Sequence, residues 1–119
     1  AARGVSEVQL LGTSGTITTL ASVQLGLPGY DRRRVDGCAV DTAALAALCR
    51  SIGHSSVAER ARIACVGPDR AELIVAGCAI LEAILTRWPG WQVRVADRGI
   101  REGILRTLMT RDGVWAAGK

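Results

Sequence analysis

The sequence predicts an α/β fold: a few parallel strands packed with several helices. Three observations carry this. An apolar segment ending at Leu11 runs through the turn Gly12-Thr13-Ser14-Gly15-Thr16 into a helical pattern. Val93 and Val95 alternate with Arg94 as in a half-buried strand, and another helical pattern follows. Between the two lie helical periodicities long enough to cross over and lay the second strand parallel to the first.

Taken in order, Glu7 to Leu11 reads as a buried strand and Ser14 to Leu25 as a helix stopped by Gly26 and Pro28. An irregular loop, carrying Arg32, Arg33 and Arg34 as solvated charge, runs to Val40. Asp41 can cap a second helix, on which Leu45, Leu48, Cys49 and Ile52 form one stripe. Ser56 and Glu59 have capping-box spacing for a short helix from Val57 to about Ala64. Gly67-Pro68-Asp69 opens the longest helix, with proline in the first turn and an acid at the positive end of the dipole. That helix is apolar nearly all round from Ala71 to Leu85, so it requires cover on more than one side, and Trp88-Pro89-Gly90 ends it. After the second strand and Asp97-Arg98-Gly99, a last helix carries Ile100, Ile104, Leu105, Leu108 and Met109, with Glu102 and Arg106 spaced as an i, i+4 pair. Residues 110–119 show no periodicity and are expected to form a loose tail of a single domain, 1–119.

At 119 residues and 49% hydrophobic content the chain can bury one ordinary core. Its longest apolar run, Leu73 to Leu85, is too short to cross a bilayer and contains Glu82. No charged-then-apolar leader stands at the N-terminus, so a cytoplasmic setting without membrane contact is expected. Cys38, Cys49, Cys65 and Cys78 lack metal-ligand spacing, and His54 is the only histidine, placed where it would end a helix on the surface. Cys49 and Cys78 fall among alanines and leucines as small buried residues of a reducing compartment. The net charge of +4 comes from arginine, with Lys119 the only lysine. Few aromatics are available to stack on bases, so a nucleic-acid partner is not expected.

The turn at Gly12 to Thr16 admits two readings. Two glycines and three hydroxyl residues at a strand's carboxyl end allow backbone to approach a phosphate and aim helix N–H groups at it. The plainer alternative is a tight turn capped by Ser14 or Thr16. Parallel strands would put this turn and the one at Asp97 to Arg101 on the same sheet edge, where α/β folds bind ligands. Two strands do not supply enough sheet for the helices present, and the strand through Val8 has an edge without a partner, so the chain reads as a piece of a larger domain.

GTSGTITTL at 12 to 20, PDRAELIVAGCAILEAIL at 68 to 85 and VADRGIREGIL at 95 to 105, in this order and spacing, resemble the exopolyphosphatase and guanosine pentaphosphate phosphohydrolase family, Ppx/GppA. The likeness covers nearly all of residues 5 to 110, including the LPGYDRRRVDG loop. It implies an actin-like, ribonuclease-H-like fold, of which this chain resembles the later half of the second domain.

The resemblance further implies that Gly12, Thr13, Ser14, Gly15 and Thr16 face the phosphate or nucleotide channel. Arg70, the arginine of the family's RAD signature, becomes a candidate to hold phosphate through its planar guanidinium. The signature here reads Arg70-Ala71-Glu72, which keeps the charge of the family's aspartate on a longer arm. Arg98 and Arg101 match the DRGLREG signature as further phosphate-side residues, with Glu102 and the packing glycine Gly77 structural at the cleft.

The family's DxGGGS loop and catalytic glutamate are not found in these residues, so catalytic residues and metal ligands are expected outside them. The expectation is therefore of one wall of a magnesium-dependent hydrolase acting on polyphosphate or pppGpp, inactive by itself and self-associating as a homodimer. A stand-alone module that binds phosphate-rich ligands or a partner domain is the alternative.

Overall fold

The computed structural model describes residues 9–90 and 92–115. Three strands form its sheet: β1 (Leu10–Thr13), β2 (Ala39–Asp41) and β3 (Gln92–Ala96), in the order β1-β3-β2. β1 runs parallel to β3, with Leu10 opposite Val93 and Thr13 opposite Ala96. The expected parallel pair is present, and β2, which runs antiparallel to β3, makes the sheet a mixed one. The expected strand at Glu7 to Leu11 lies at Leu10–Thr13 instead, and Glu7 and Val8 fall outside the described residues.

The helices are α1 (Gly15–Gln24), α2 (Arg32–Val35), α3 (Thr42–His54), α4 (Val57–Ala61), α5 (Gly67–Arg70), α6 (Leu73–Arg87) and α7 (Ile100–Arg111). Two elements interrupt what reads in sequence as one irregular loop. Asp31 caps α2 by accepting from the Arg33 N–H at 3.0 Å. β2 is too short to show a period of two. It exists because β3 offers it a ladder, extended by Gly37 N–H to Val95 O at 2.7 Å and Val95 N–H to Cys38 O at 2.8 Å.

Local capping signals hold where the side chains are short. Asp41 accepts from Ala44 N–H at 2.9 Å at the head of α3, and Ser56 and Glu59 form the reciprocal box that starts α4. Helix α4 stops at Ala61, earlier than its apolar pattern suggests. His54 is the exposed last residue of α3. The long helix expected from Gly67 is broken into α5 and α6, for a reason outside its own sequence. The buried Arg60 guanidinium donates to the carbonyl of Ala71, which a continuous helix would have used, and also to the carbonyl of Ser55.

Helix α1 packs on β1 and β3, α3 on β2 and α6, and α1 also touches α3 and α6. Leu20, Leu45, Ile52, Val35 and Val95 are fully buried between them. Cys49 and Cys78 join α3 to α6 in this core, where the hydrogen bond to Cys78 and burial push the Cys49 thiol up. β3 buries Val93 and Val95 on the helix side and exposes Arg94 on the other, so one sheet face is open among the described residues. Helix α6 is likewise covered on one side only: Ile74, Cys78 and Leu85 are buried while Leu73, Ile80 and Ile84 are exposed.

At Gly77 helices α1 and α6 approach so closely that a Cβ would stand 2.5 Å from both Cγ2 and Oγ1 of Thr16. A glycine inside a helix is ordinarily about 0.5–1 kcal/mol worse than alanine. Here the sign reverses: Gly77→Ala is expected to lower stability by about 1–3 kcal/mol through overpacking. Thr16→Ala in the same chain should recover a good part of that loss. Urea denaturation of the two single variants and the double variant measures the coupling; additive effects would separate the two residues.

Candidate functional site

The parallel register of β1 and β3 brings their carboxyl ends together, so Ser14 and Asp97 follow directly from paired residues, Thr13 and Ala96. Beside them lies a cavity of about 470 Å³ lined by Ser14, Gly15, Thr18, Thr19, Tyr30, Arg70 and Asp97, among others. That volume lies within the usual range for small-ligand pockets, about 300–1,000 Å³.

The first wall is the head of α1. Ser14 occupies the N-cap position, but its side chain makes no capping hydrogen bond, against the plainer reading of this turn. Its backbone has φ 84° and ψ −179°, a region that only glycine enters freely, at a cost of roughly 1–3 kcal/mol for other residues. The first helical hydrogen bond is Thr18 N–H to Ser14 O at 3.2 Å, so the N–H groups of residues 15–17 have no partner inside the helix. Arg70 lies across this turn, donating from Nη1 to Thr19 Oγ1 at 2.7 Å. An ideal Cβ at Gly15 would be 4.0 Å from the same nitrogen, which places the guanidinium against backbone. Arg70 ends the four-residue α5, so its cation is aimed at the head of α1 and takes nothing from the dipole of α6, which starts only at Leu73.

The second wall is built from the loop after α1 and the turn after β3. Tyr30 Oη donates to Asp97 Oδ2, Arg32 Nε stands 3.3 Å from the same oxygen, and Arg32 Nη2 donates to Asp97 O at 3.0 Å. Asp36 accepts from Asp97 N–H at 2.9 Å and pairs with Arg98 at 3.2 Å. None of Tyr30, Arg32, Asp36 and Asp97 was singled out from sequence as a site residue. The signal available was the position of Tyr30-Asp31 and Asp97-Arg98 within two segments that carry the family likeness.

The structure divides the expected site residues. Ser14, Gly15 and Arg70 meet in the polar cavity, and Gly15, Thr16 and Arg70 also line a smaller one of about 170 Å³. Gly12, Thr13, Thr16 and Gly77 instead line an apolar groove of about 380 Å³ with Leu11, Ile80 and Ile84. Gly12 is required there, since a Cβ would come within 2.7 Å of Ile17. Arg98 is engaged with Asp36, while Arg101 is exposed and lines none of these cavities. Glu102 does not reach Arg106. Its carboxylate accepts from Gly99 N–H at 2.8 Å, and the backbone N–H groups of Glu102 and Gly99 hold it below the usual carboxylate range. The Arg106 guanidinium lies 5.9 Å from the Trp115 ring centre. Among the described residues no group of His, Cys, Asp or Glu could hold a metal ion.

The model of the Ppx/GppA phosphatase family matches residues 1–112. The chain belongs to this family. Its fold is shared with the crystal structure of the type II variant of the Aquifex aeolicus Ppx/GppA phosphatase, at 30% identity and a TM-score of 0.76, over 82% of this chain and 33% of that one. The Aquifex aeolicus family member in another crystal structure gives 28% identity and a TM-score of 0.81, over 88% of this chain and 35% of that one. An exopolyphosphatase from Cytophaga hutchinsonii, at 24% identity and a TM-score of 0.73, covers 91% of this chain and 35% of its own, and adds to the likeness of fold alone. The chain therefore spans about a third of the length of these structures. A comparison with the curated proteins finds no match.

Burial of the Tyr30 hydroxyl, then its hydrogen bond to Asp97, pushes the phenol from its ordinary 10.0 up to about 12. Because the folded state holds this proton more tightly, the contribution to stability is complete below pH 10 and is lost as pH rises towards 12. Tyr30 is the only tyrosine, so phenolate absorbance reports it alone. The titration midpoint is expected near 12 in this chain and closer to 10 in Asp97→Ala; the same midpoint in both would remove Asp97 as a cause.

Proposed function

We propose that this chain forms one wall of the active cleft of a phosphoanhydride hydrolase that releases terminal phosphate from inorganic polyphosphate, from pppGpp, or from both. Family membership supports the phosphatase class. The observation that carries the site assignment is the meeting of the Arg70 guanidinium with the unpaired N–H end of α1 at Gly15, in one cavity. A phosphate there would receive backbone hydrogen bonds, the positive end of a ten-residue helix and a planar cation. Phosphoryl transfer is chiefly positioning and charge neutralisation, and these groups supply both. Ser14, Gly15 and Arg70 are the phosphate-side residues of the reading, with Thr16 beside them. Gly12 and Thr13 lie on the β1 side of the turn, Arg98 ties Asp36 to the turn after β3, Arg101 is exposed beside it, and Gly77 and Glu102 are structural.

This reading carries with it a cytoplasmic setting and a Mg2+ cofactor for the whole enzyme. The residues described here do not fit that ion. The cavity offers a single carboxylate, Asp97, already bonded to Tyr30 and Arg32, whereas Mg2+ seeks octahedral oxygen ligands. Without a DxGGGS loop or the family's glutamate, the 119-residue chain is expected to release no phosphate from polyphosphate or pppGpp in the presence of magnesium; release above a buffer blank would contradict the reading. In the full-length enzyme Arg70→Ala should reduce kcat/KM by an amount equivalent to about 2–4 kcal/mol. Unchanged kinetics with a lower melting temperature would assign Arg70 to structure alone.

The groove between β1 and α6 supports the expected self-association of the isolated chain. Leu11, Ile80 and Ile84 are exposed beside it, and each aliphatic side chain is worth about 1.5–3 kcal/mol when buried. Sedimentation of the isolated chain should show dimers or larger species. A monomer that melts cooperatively at high temperature would favour a stand-alone binding module.

A further inference from the structure

The polar cavity carries charge of both signs. Arg70 and the head of α1 form one wall, and Asp97 with Tyr30 forms the other. At Asp97 one oxygen is filled, because Oδ2 accepts from Tyr30 Oη and faces Arg32 Nε at 3.3 Å. Among the described residues Oδ1 receives no donor, and the side chain is 36% exposed. An ionised carboxylate oxygen has acceptor sites only, so a ligand group meeting Oδ1 must donate. A wholly anionic chain has no such group and would meet like charge at this wall.

We infer that Asp97 determines specificity: its Oδ1, fixed by Tyr30 and Arg32, accepts a hydrogen bond from a neutral donor on the ligand, so the cavity prefers a nucleoside polyphosphate to an inorganic chain of equal phosphate number. This rests on the phosphate-site reading of the same cavity. The donors a nucleoside brings are its ribose hydroxyls and, in guanine, the adjacent N1–H and N2–H groups. Tyr30, 53% exposed, offers a ring face beside them. Asp97→Asn tests the atom itself. Arg32 can only donate, so it holds the amide oxygen in the place of Oδ2 and leaves the NH2 group in the place of Oδ1. The wall would then donate where it had accepted.

The test is calorimetric binding of GTP, ATP and inorganic tripolyphosphate, in EDTA, to the full-length protein carrying this chain. GTP is expected to bind about tenfold or more tighter than tripolyphosphate, the scale of one charge-assisted hydrogen bond. ATP equal to GTP supports reading of the ribose, and ATP weaker than GTP supports reading of the base. Asp97→Asn should weaken GTP about fivefold or more while leaving tripolyphosphate unchanged or tighter. Equal binding of GTP and tripolyphosphate by the unaltered protein overturns the inference and leaves the phosphate site standing. So does an Asp97→Asn variant that loses all three ligands alike, since Asp97 would then be structural. No binding of any of the three overturns the phosphate site and the inference with it. If Asp97→Asn does not fold, Tyr30→Phe, which frees Oδ2, should lower the GTP-to-tripolyphosphate ratio, and an unchanged ratio counts against the inference.

Discussion

The close approach of α1 and α6 at Gly77 governs how the rest of the structure is arranged. With no side chain there, Thr16 comes against the helix backbone, and the first turn of α1 is held next to α6. Arg70, only a few residues before α6, is thereby delivered to Thr19 and Gly15. A bulkier contact would hold the two helices farther apart and carry the guanidinium away from the N–H groups it accompanies. The strained backbone of Ser14 fits the same constraint, since the chain must turn from β1 into a helix whose position is already fixed.

Arg60 does comparable work just ahead of α6. It is a buried cation whose hydrogen bonds go to carbonyl oxygens of Ser55 and Ala71, with no carboxylate among them. Two segments that end helices therefore share one donor. Satisfying carbonyls that would otherwise be buried without partners matters more here than charge pairing. It also explains why Arg70 stands on a separate short helix: the carbonyl that would have continued the helix is occupied.

Much of the architecture was legible because it depends on short-range rules. The caps at Asp41 and Ser56 and the alternation at Val93 and Val95 need only neighbours in sequence. The parallel pairing of β1 with β3 follows from the length of chain between them. β2 and the break after Arg70 were not legible, because each depends on a partner far away: β3 for the first, Arg60 for the second. The site divides along the same line. The glycine turn and Arg70 stand out by residue type, whereas Asp97 and Tyr30 acquire their arrangement only when residues 67 positions apart meet. Glu102 shows the reverse error, since i, i+4 spacing suggested Arg106 while an unpaired N–H one turn back was the nearer partner.

The antiparallel β2 has a mechanical consequence. Through β2, Gly37 and Cys38 the loop bearing Tyr30 and Arg32 is fastened to β3, and Arg94 adds a tie from its Nη1 to Gly37 O at 2.9 Å. The opposite wall is fastened by Arg70 to α1, by α1 to α6, and by β1, which leads into α1 and pairs with β3. Both walls of the cavity are thus tied to one strand, β3, the α1 wall through β1 and the Tyr30 wall through the turn at Asp97. β3 is the common anchor of the site, so a change that loosened its ladder on either side would disturb a wall of the cavity.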